Sequence, residues 1–207
     1  MLENQIKIID ECILQGITQK EQIAYILATA EWETNHTYEP VKEAYWLSET
    51  WRKNNLRYYP YYGRGLVQIT WEKNYQKFAN ILNIDLVSNP DLALVFDVAK
   101  FILVYGFKHG SFTGKNISDF INKTKIDYIG ARQCINGTDH ALDIKEIAGK
   151  LELKIDTYLR AKEVDNKVER IKDLQKLVNK YGSNLKEDGI IGQLTKEAVS
   201  SFLEGLM

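Results

Sequence analysis

Proline is scarce in this chain: Pro40, Pro60 and Pro90 are the three present, and none follows Pro90. A collagen-like or Pro-rich extended protein is thereby excluded. Cysteine is scarcer still. Cys12 and Cys134 cannot build a disulfide framework and read as two buried thiols rather than a redox or metal pair. The three histidines, His36, His109 and His140, are scattered, and no HExxH or CxxC spacing occurs, so neither a metal nor another cofactor is expected. There is no G-x-S-x-G string and no phosphate loop. Gly63-Arg64-Gly65 is too short for a dinucleotide fingerprint and follows no strand pattern. No sign of charge dominates. The formal net charge is -1, which argues against a nucleic-acid coat or a polybasic membrane binder. Long apolar runs are also missing. The block Phe101 to Phe107 falls far below the roughly 20 residues that span a bilayer, so membrane insertion is not expected. The first 16 residues mix acidic groups into a short apolar stretch with no basic leader before it, which does not read as a signal peptide.

What is present is an ordinary globular composition of 207 residues, 44% hydrophobic and 27% charged. The pattern is mostly helical. A helix is expected over 3–15, ended by Gly16. Thr18 with Glu21 spells a capping box before the apolar run Ile23 to Ala30, which reads as a helix buried on most sides. A loop-rich stretch over 35–66 has room for a small hairpin. Helices are then expected over Trp71–Leu82 and Leu92–Phe107, with Asn89-Pro90-Asp91 as the turn between them. Ser118 is expected to cap a short helix, another leads into Asn136-Gly137, and a last helix covers about 141–160. Residues 161–169 are charged and poor in core positions, as in a linker or a solvated helix extension. Beyond them Val168, Ile171, Leu174, Leu177 and Val178 recur at helical spacing. Asp188-Gly189 is a turn, and a helix from Thr195 turns Ala198, Val199, Phe202 and Leu203 inward.

The chemistry concentrates in 38–62, which holds Tyr38, Tyr45, Trp46, Trp51, Tyr58, Tyr59, Tyr61 and Tyr62 without helical spacing. Such rings need a core beneath them or a flat ligand above them. Tyr and Trp suit a sugar-lined cleft, because the ring face packs on C–H surfaces while the polar tip hydrogen-bonds. Arg52, Lys53, Arg57 and Arg64 in the same segment make a single-stranded nucleic-acid platform the rival, and a second small core is the third reading. Glu33 ends the buried helix. Apolar walls and the negative end of the helix dipole favour a carboxyl that stays protonated, as a general acid must. Glu31 lies about 200° round the helix and cannot share that face. Glu43 follows beside the aromatic segment. Two carboxylates across an aromatic groove suit glycoside hydrolysis.

Four strings in order, AYILATAEWET (24–34), PVKEAYWLSETW (40–51), YYGRGLVQITWEKNY (61–75) and RQCINGTD (132–139), resemble glycoside hydrolase family 19, the chitinase-like fold, and within it the compact phage endolysin branch. NPDLAL (89–94) and FTGKNISDFI (112–121) fit that branch too. The resemblance covers about 20–150. It implies a mainly α protein with a lysozyme/chitinase-like helical catalytic domain and a two-lobed cleft, residues 1–160. Carried over by residue, it places the general acid on Glu33, the general base on Glu43 and the side chain that holds the attacking water on Thr70. Substrate contacts fall on Gln68, Asn74 and Asn136, with Tyr62 and Arg64 shaping the cleft floor or touching sugar. Trp32 stands where chitinases have His and Lys73 where they often have Tyr, and the chitinases' Arg of the last helix has no unambiguous counterpart. The tail, 161–207, resembles a linker and the small three-helix peptidoglycan-binding domain through Leu174-Gln175, Leu177, Asp188-Gly189, Gly192, Thr195, Ala198-Val199 and Phe202.

The expectation is an inverting, muramidase-type endolysin acting on bacterial peptidoglycan. A chitinase on the same scaffold and a non-catalytic glycan-binding module are the alternatives. The resemblance further implies a monomer with no nucleic-acid partner. It would be made in the host cytoplasm without a signal peptide and act on the wall after the membrane is breached.

Overall fold

The computed structural model describes residues 1–204, with side chains through Phe202. The chain divides into two compact units, Met1–Ile155 and Asp156–Met207.

The first unit is mainly α. Helices α1 (Glu3–Leu14), α2 (Lys20–Glu33) and α5 (Phe96–His109) pack on one another, and α2 is the centre of the core. All residues of α2 from Gln22 to Ala30 are buried. Burying each Ile or Leu there contributes about 1.5–3 kcal/mol relative to exposure, which outweighs the modest helix propensity of the β-branched positions. The amide of Gln22, at the start of that buried stretch, is satisfied by donating to the Ile121 carbonyl (2.6 Å) and the Ser118 hydroxyl (3.3 Å). Gly16, at φ +82°, ends α1 as expected. The Ile17 N–H turns back to the Cys12 carbonyl at 2.8 Å, a bond that needs a left-handed residue between.

Elsewhere in this unit, α3 (Glu49–Asn55) lies in the loop-rich segment. Strands β1 (Val41–Lys42) and β2 (Arg64–Gly65) pair antiparallel, Val41 with Gly65 and Lys42 with Arg64. Helix α4 (Glu72–Leu82) precedes a 3-10 turn (Pro90–Leu94). After α5 come a 3-10 turn (Ile117–Asp119), the two-residue strands β3 (Ile121–Asn122) and β4 (Lys125–Ile126), α6 (Tyr128–Ala131) and a further 3-10 turn (Arg132–Cys134). Both cysteines are free and buried, and burial pushes the Cys134 thiol up to about 12.

Several local expectations are corrected. Thr18 caps nothing. Helix α2 starts at Lys20 behind Gln19, whose side-chain amide is drawn to the Asn122 carbonyl (3.2 Å), so a tertiary contact sets the start. Ser118 accepts from Gln22, and Asn116 caps the short turn instead. The helix expected from Leu92 begins at Phe96. Asp91 is held by Lys42 (2.7 Å) and Arg64 (2.8 Å), which ties Pro90–Leu94 to the β1–β2 pair as a separate turn.

Helix α7 runs Ala141–Lys180, and the division between units falls within it. Residues 161–169 are therefore helix. In the second unit the described residues form the later part of α7 and α8 (Gln193–Glu204), so two helical segments stand where three are expected; Asp188-Gly189, with Gly189 at φ +77°, turns the chain between them. Gln175 and Val178 are the buried residues of the α7 stretch, while Leu177 is exposed, because the inward phase passes through 175 and 178. Tyr181 and Phe202 pack ring to ring at 4.9 Å. The Leu203 side chain lies outside the described residues. Among the described residues no helix is long and apolar enough to cross a membrane.

Candidate active site

Glu33 is the last residue of α2, which aims its carboxyl away from the apolar core that the rest of the helix fills. There it meets Arg132, from the 3-10 turn after α6, with Nη1 2.9 Å from Oε1. The Arg132 side chain is 4% exposed and that of Glu33 18%. Arg132 also donates through Nε to the Asp139 carbonyl (2.9 Å), so one guanidinium ties the acid to the segment carrying Asn136 and His140. The purely apolar walls expected around Glu33 are thus corrected: a cation faces it. Glu31, two residues earlier, is directed elsewhere. It accepts from the Tyr38 hydroxyl and contacts His36 Nδ1 at 3.0 Å.

Clefts of about 300–1,000 Å³ are common for small ligands; the one here measures about 600 Å³. Glu33, Gln68, Thr70, Asn74 and Asn136 all line it, together with Arg132, Asp139, His140, Trp32, Tyr58 and Trp71. The turn through 68–71 sets three of these. Gln68 sits at φ +51° and donates to the Val41 (2.9 Å) and Gly65 (3.2 Å) carbonyls, anchoring the turn on β1 and β2. Thr70 Oγ1 donates to the Gln68 carbonyl at 3.0 Å and keeps its lone pairs for a water. Asn74, in the first turn of α4, donates to the Thr70 carbonyl at 2.6 Å, leaving its amide oxygen open. Asn136 uses its Oδ1 to receive the Gly137 N–H at 3.0 Å.

Glu43 does not line this cleft. Its Oε1 accepts from the Tyr58 hydroxyl (2.6 Å) and its Oε2 from the Gly63 N–H (2.9 Å), so it stands one hydrogen bond back, through the cleft residue Tyr58. Burial and the Glu43 carboxylate together push the Tyr58 phenol up to about 12, which keeps it a donor. Glu49 is engaged elsewhere. Burial opposes its ionisation, but hydrogen bonds from Arg52 and Tyr62 outweigh that and hold its carboxyl below the usual range.

Tyr62 and Arg64 are brought together but not to the cleft. Both are buried. The guanidinium lies 3.7 Å from the centre of the Tyr62 ring and donates to Asp91, to the Pro60 and Tyr62 carbonyls and to the Tyr75 hydroxyl. Neither residue lines the cleft, so the structure does not bring either one to where a sugar in it would lie. The aromatic segment divides in the same way. Tyr38 and Tyr62 fill core, Tyr58 lines the cleft, and Tyr45, Trp46 and Trp51 are exposed.

Sequence reasoning missed Arg132, Asp139 and Trp71. Arg132 was legible as the basic residue four before Asn136, a helical spacing that puts both on one side of the same turn. Trp32 packs against the His140 ring with centroids 4.6 Å apart and the planes tilted by 36°, a pairing across more than a hundred residues that no local pattern signals.

Residues 32–109 match the family model of chitinase class I, glycoside hydrolase family 19. This segment holds Glu33, Glu43, Gln68, Thr70 and Asn74. Curated relatives include Chitinase 8 of Oryza sativa subsp. japonica, 52% identical over 42 residues, which is 20% of this chain and 16% of that protein. Endochitinase A2 of Pisum sativum is 44% identical over 41 residues, 20% of this chain and 13% of that protein. The chain therefore spans no more than 16% of the length of these relatives. A solved mutant of chitinase C overlays with a TM-score of 0.44 at 17% identity, covering 68% of this chain and 72% of that one.

Proposed function

We propose that this protein hydrolyses glycosidic bonds of bacterial cell-wall peptidoglycan, as a muramidase of the endolysin type with an inverting mechanism. The observation that carries the reading is Glu33, fixed by Arg132 in a cleft that also presents Thr70, Gln68, Asn74 and Asn136. Arg132 occupies Glu33 Oε1, which leaves Oε2 to carry the proton. In the reaction Glu33 gives that proton to the leaving glycosidic oxygen. Water attacks the anomeric carbon from the opposite face and gives up its proton to Glu43 through the Tyr58 hydroxyl, and the bond to the leaving sugar breaks. Tyr58 lines the cleft and donates to Glu43 Oε1, so it can pass its proton on as it takes one from the water. Thr70 is suited to hold the same water. Gln68, Asn74 and Asn136 offer amide groups to the hydroxyl and acetamido groups of the sugar chain.

Peptidoglycan is favoured over chitin by three features. Trp32, at the cleft, replaces the chitinases' His, and Lys73 replaces their frequent Tyr. The second unit supplies a separate recess of 240 Å³, lined in part by Asn184, Leu185, Ile190 and Leu194, which suits it for wall attachment. In this reading the protein works as a monomer, is made in the host cytoplasm and reaches the wall after the membrane is breached. The chitinase reading is kept alive by the names of the curated relatives. Turbidity of purified sacculi and cleavage of soluble chitin oligomers, measured on one preparation, separate the two. Clearing of sacculi with new muramic-acid reducing ends supports the proposal. Cleavage of chitin oligomers without clearing makes the protein a chitinase, and binding without cleavage of either makes it a glycan-binding module.

A further inference from the structure

Trp71 is held in a backbone conformation that its side chain does not explain. It sits at φ +74° and ψ 137°, a region that is essentially reserved for glycine. The bonds that hold it there are main-chain bonds: its N–H donates to the Tyr61 carbonyl (2.9 Å), and its carbonyl receives the Asn74 N–H (2.9 Å) to start α4. Glycine would make both without strain. What tryptophan adds at this position is the indole, and the indole is only partly covered, since Trp71 is 41% exposed.

The ring is nonetheless fixed. The Tyr58 ring meets it edge-on at 5.0 Å and 65°, and the Arg57 guanidinium lies 5.1 Å from its centre. It lines the cleft with Glu33 and Thr70, and it also lines an adjoining recess with Glu72 and Lys73. Trp32, by contrast, is already covered by the His140 ring. A strained, exposed and immobilised aromatic side chain in the cleft that also holds the candidate acid is a preformed surface for a flat ligand with polar edges. Its ring can take the C–H face of a pyranose, while Glu72 and Lys73 stand where hydroxyl and amide groups would emerge.

Resting on the reading of the cleft as a glycosidase site, we infer that Trp71 is a sugar-stacking platform. One ring of the amino-sugar polymer lies on the indole as the strand passes from the cleft into the Glu72–Lys73 recess.

The test uses the full chain carrying Glu33→Gln to prevent turnover, with affinity for a soluble β-1,4-linked N-acetyl amino-sugar oligomer read by titration calorimetry. Adding Trp71→Gly relieves the backbone strain, so its melting temperature should equal or exceed that of the parent while the Kd rises about tenfold. Trp71→Phe, which keeps a ring, should hold most of the affinity. An unchanged Kd in Trp71→Gly overturns the inference. So does a lower melting temperature, which would assign the ring to packing, and so does an absence of binding when Trp71 is intact. Hydrolysis by the otherwise wild-type chain is measured alongside. If that chain binds in a Trp71-dependent way but cleaves neither wall nor chitin, the proposed function fails and the platform stands. If it cleaves and Trp71→Gly binds equally well, the platform fails and the function stands.

Discussion

Glu33 and Arg132 form a pair whose two members were not equally visible. The end of a helix whose run Ile23 to Ala30 is almost wholly apolar marks Glu33 as unusual, because a carboxylate there must face something other than the core. Arg132 comes from 99 residues away, and only the fold brings it to 2.9 Å. Their roles are separable by substitution. Glu33→Gln keeps the shape and still accepts from Arg132, but it has no acid proton to give. We expect activity on sacculi to fall roughly 10²–10⁴-fold with little change in melting temperature. Near wild-type clearing by the folded variant would remove Glu33 from the chemistry. Arg132→Ala strips a buried cation from a partly buried carboxylate, so stability should fall as well, by about 3 kcal/mol, at the lower end for a broken buried pair because Glu33 keeps some solvent. A chemical denaturation curve measures that loss. Arg132→Lys should recover part of the stability but not the second bond to the Asp139 carbonyl.

At the scale of elements, helix existence was legible and helix ends were not. The runs that form α1, α2 and α4 carry their periodicity in the sequence, whereas Thr18 and Ser118 spell caps that tertiary bonds from Gln19 and Gln22 displace. The separate turn Pro90–Leu94 was hidden for the same kind of reason, since its anchor is Asp91 held by Lys42 and Arg64. That anchor titrates. Burial works against the Asp91 carboxylate, but the bonds from Lys42 and Arg64 prevail, and its folded value lies below the ordinary one. A depressed carboxyl contributes stability above its unfolded value and loses it as pH falls through the folded value. We therefore expect the wild type to lose stability below about pH 4 more steeply than Asp91→Asn does; parallel acid unfolding curves would contradict this. The packing of α5 gives a second expectation. A Cβ at Gly106 would fall within the Phe112 ring, and Phe112 lines the cleft. Gly106→Ala should cost about 1–3 kcal/mol through overpacking and should lower activity with it, whereas Gly106→Ala with Phe112→Leu should regain stability. Thermal melts of the two variants decide between them.

On the scale of the whole molecule, what the sequence left open is how the tail is organised. The charged stretch 161–169 read equally as linker or helix, and it is helix because it has no Gly or Pro to break α7 and can make close ion pairs. Arg160 with Asp156 and Lys172 with Glu169 are 2.8 Å apart on the same helix. No residue between Asp156 and Leu174 is buried, whereas Ala141, Ile144, Ala148, Leu151 and Ile155 repeat every three or four positions in the core of the first unit. The second unit has its own polar centre. Gln175 is buried, receives the Gly189 N–H at 3.0 Å and donates to Asp188, to the Ile190 carbonyl and to Thr195. A unit of this size is near the lower limit for independent folding, so that centre is a sensitive point. Gln175→Leu would leave the Gly189 N–H without its acceptor, at about 1–3 kcal/mol, enough to unfold a marginal unit within the full chain. If the tail is a tethered wall anchor, its loss removes the effective concentration of the cleft near an insoluble polymer and gives nothing up on a diffusing fragment. We expect Gln175→Leu to lower retention on insoluble sacculi and their clearing rate, while turnover of a soluble glycan stays near that of the wild type. Equal losses on both substrates would mean that the tail supports the first unit instead of the wall, and full retention would mean that it does neither.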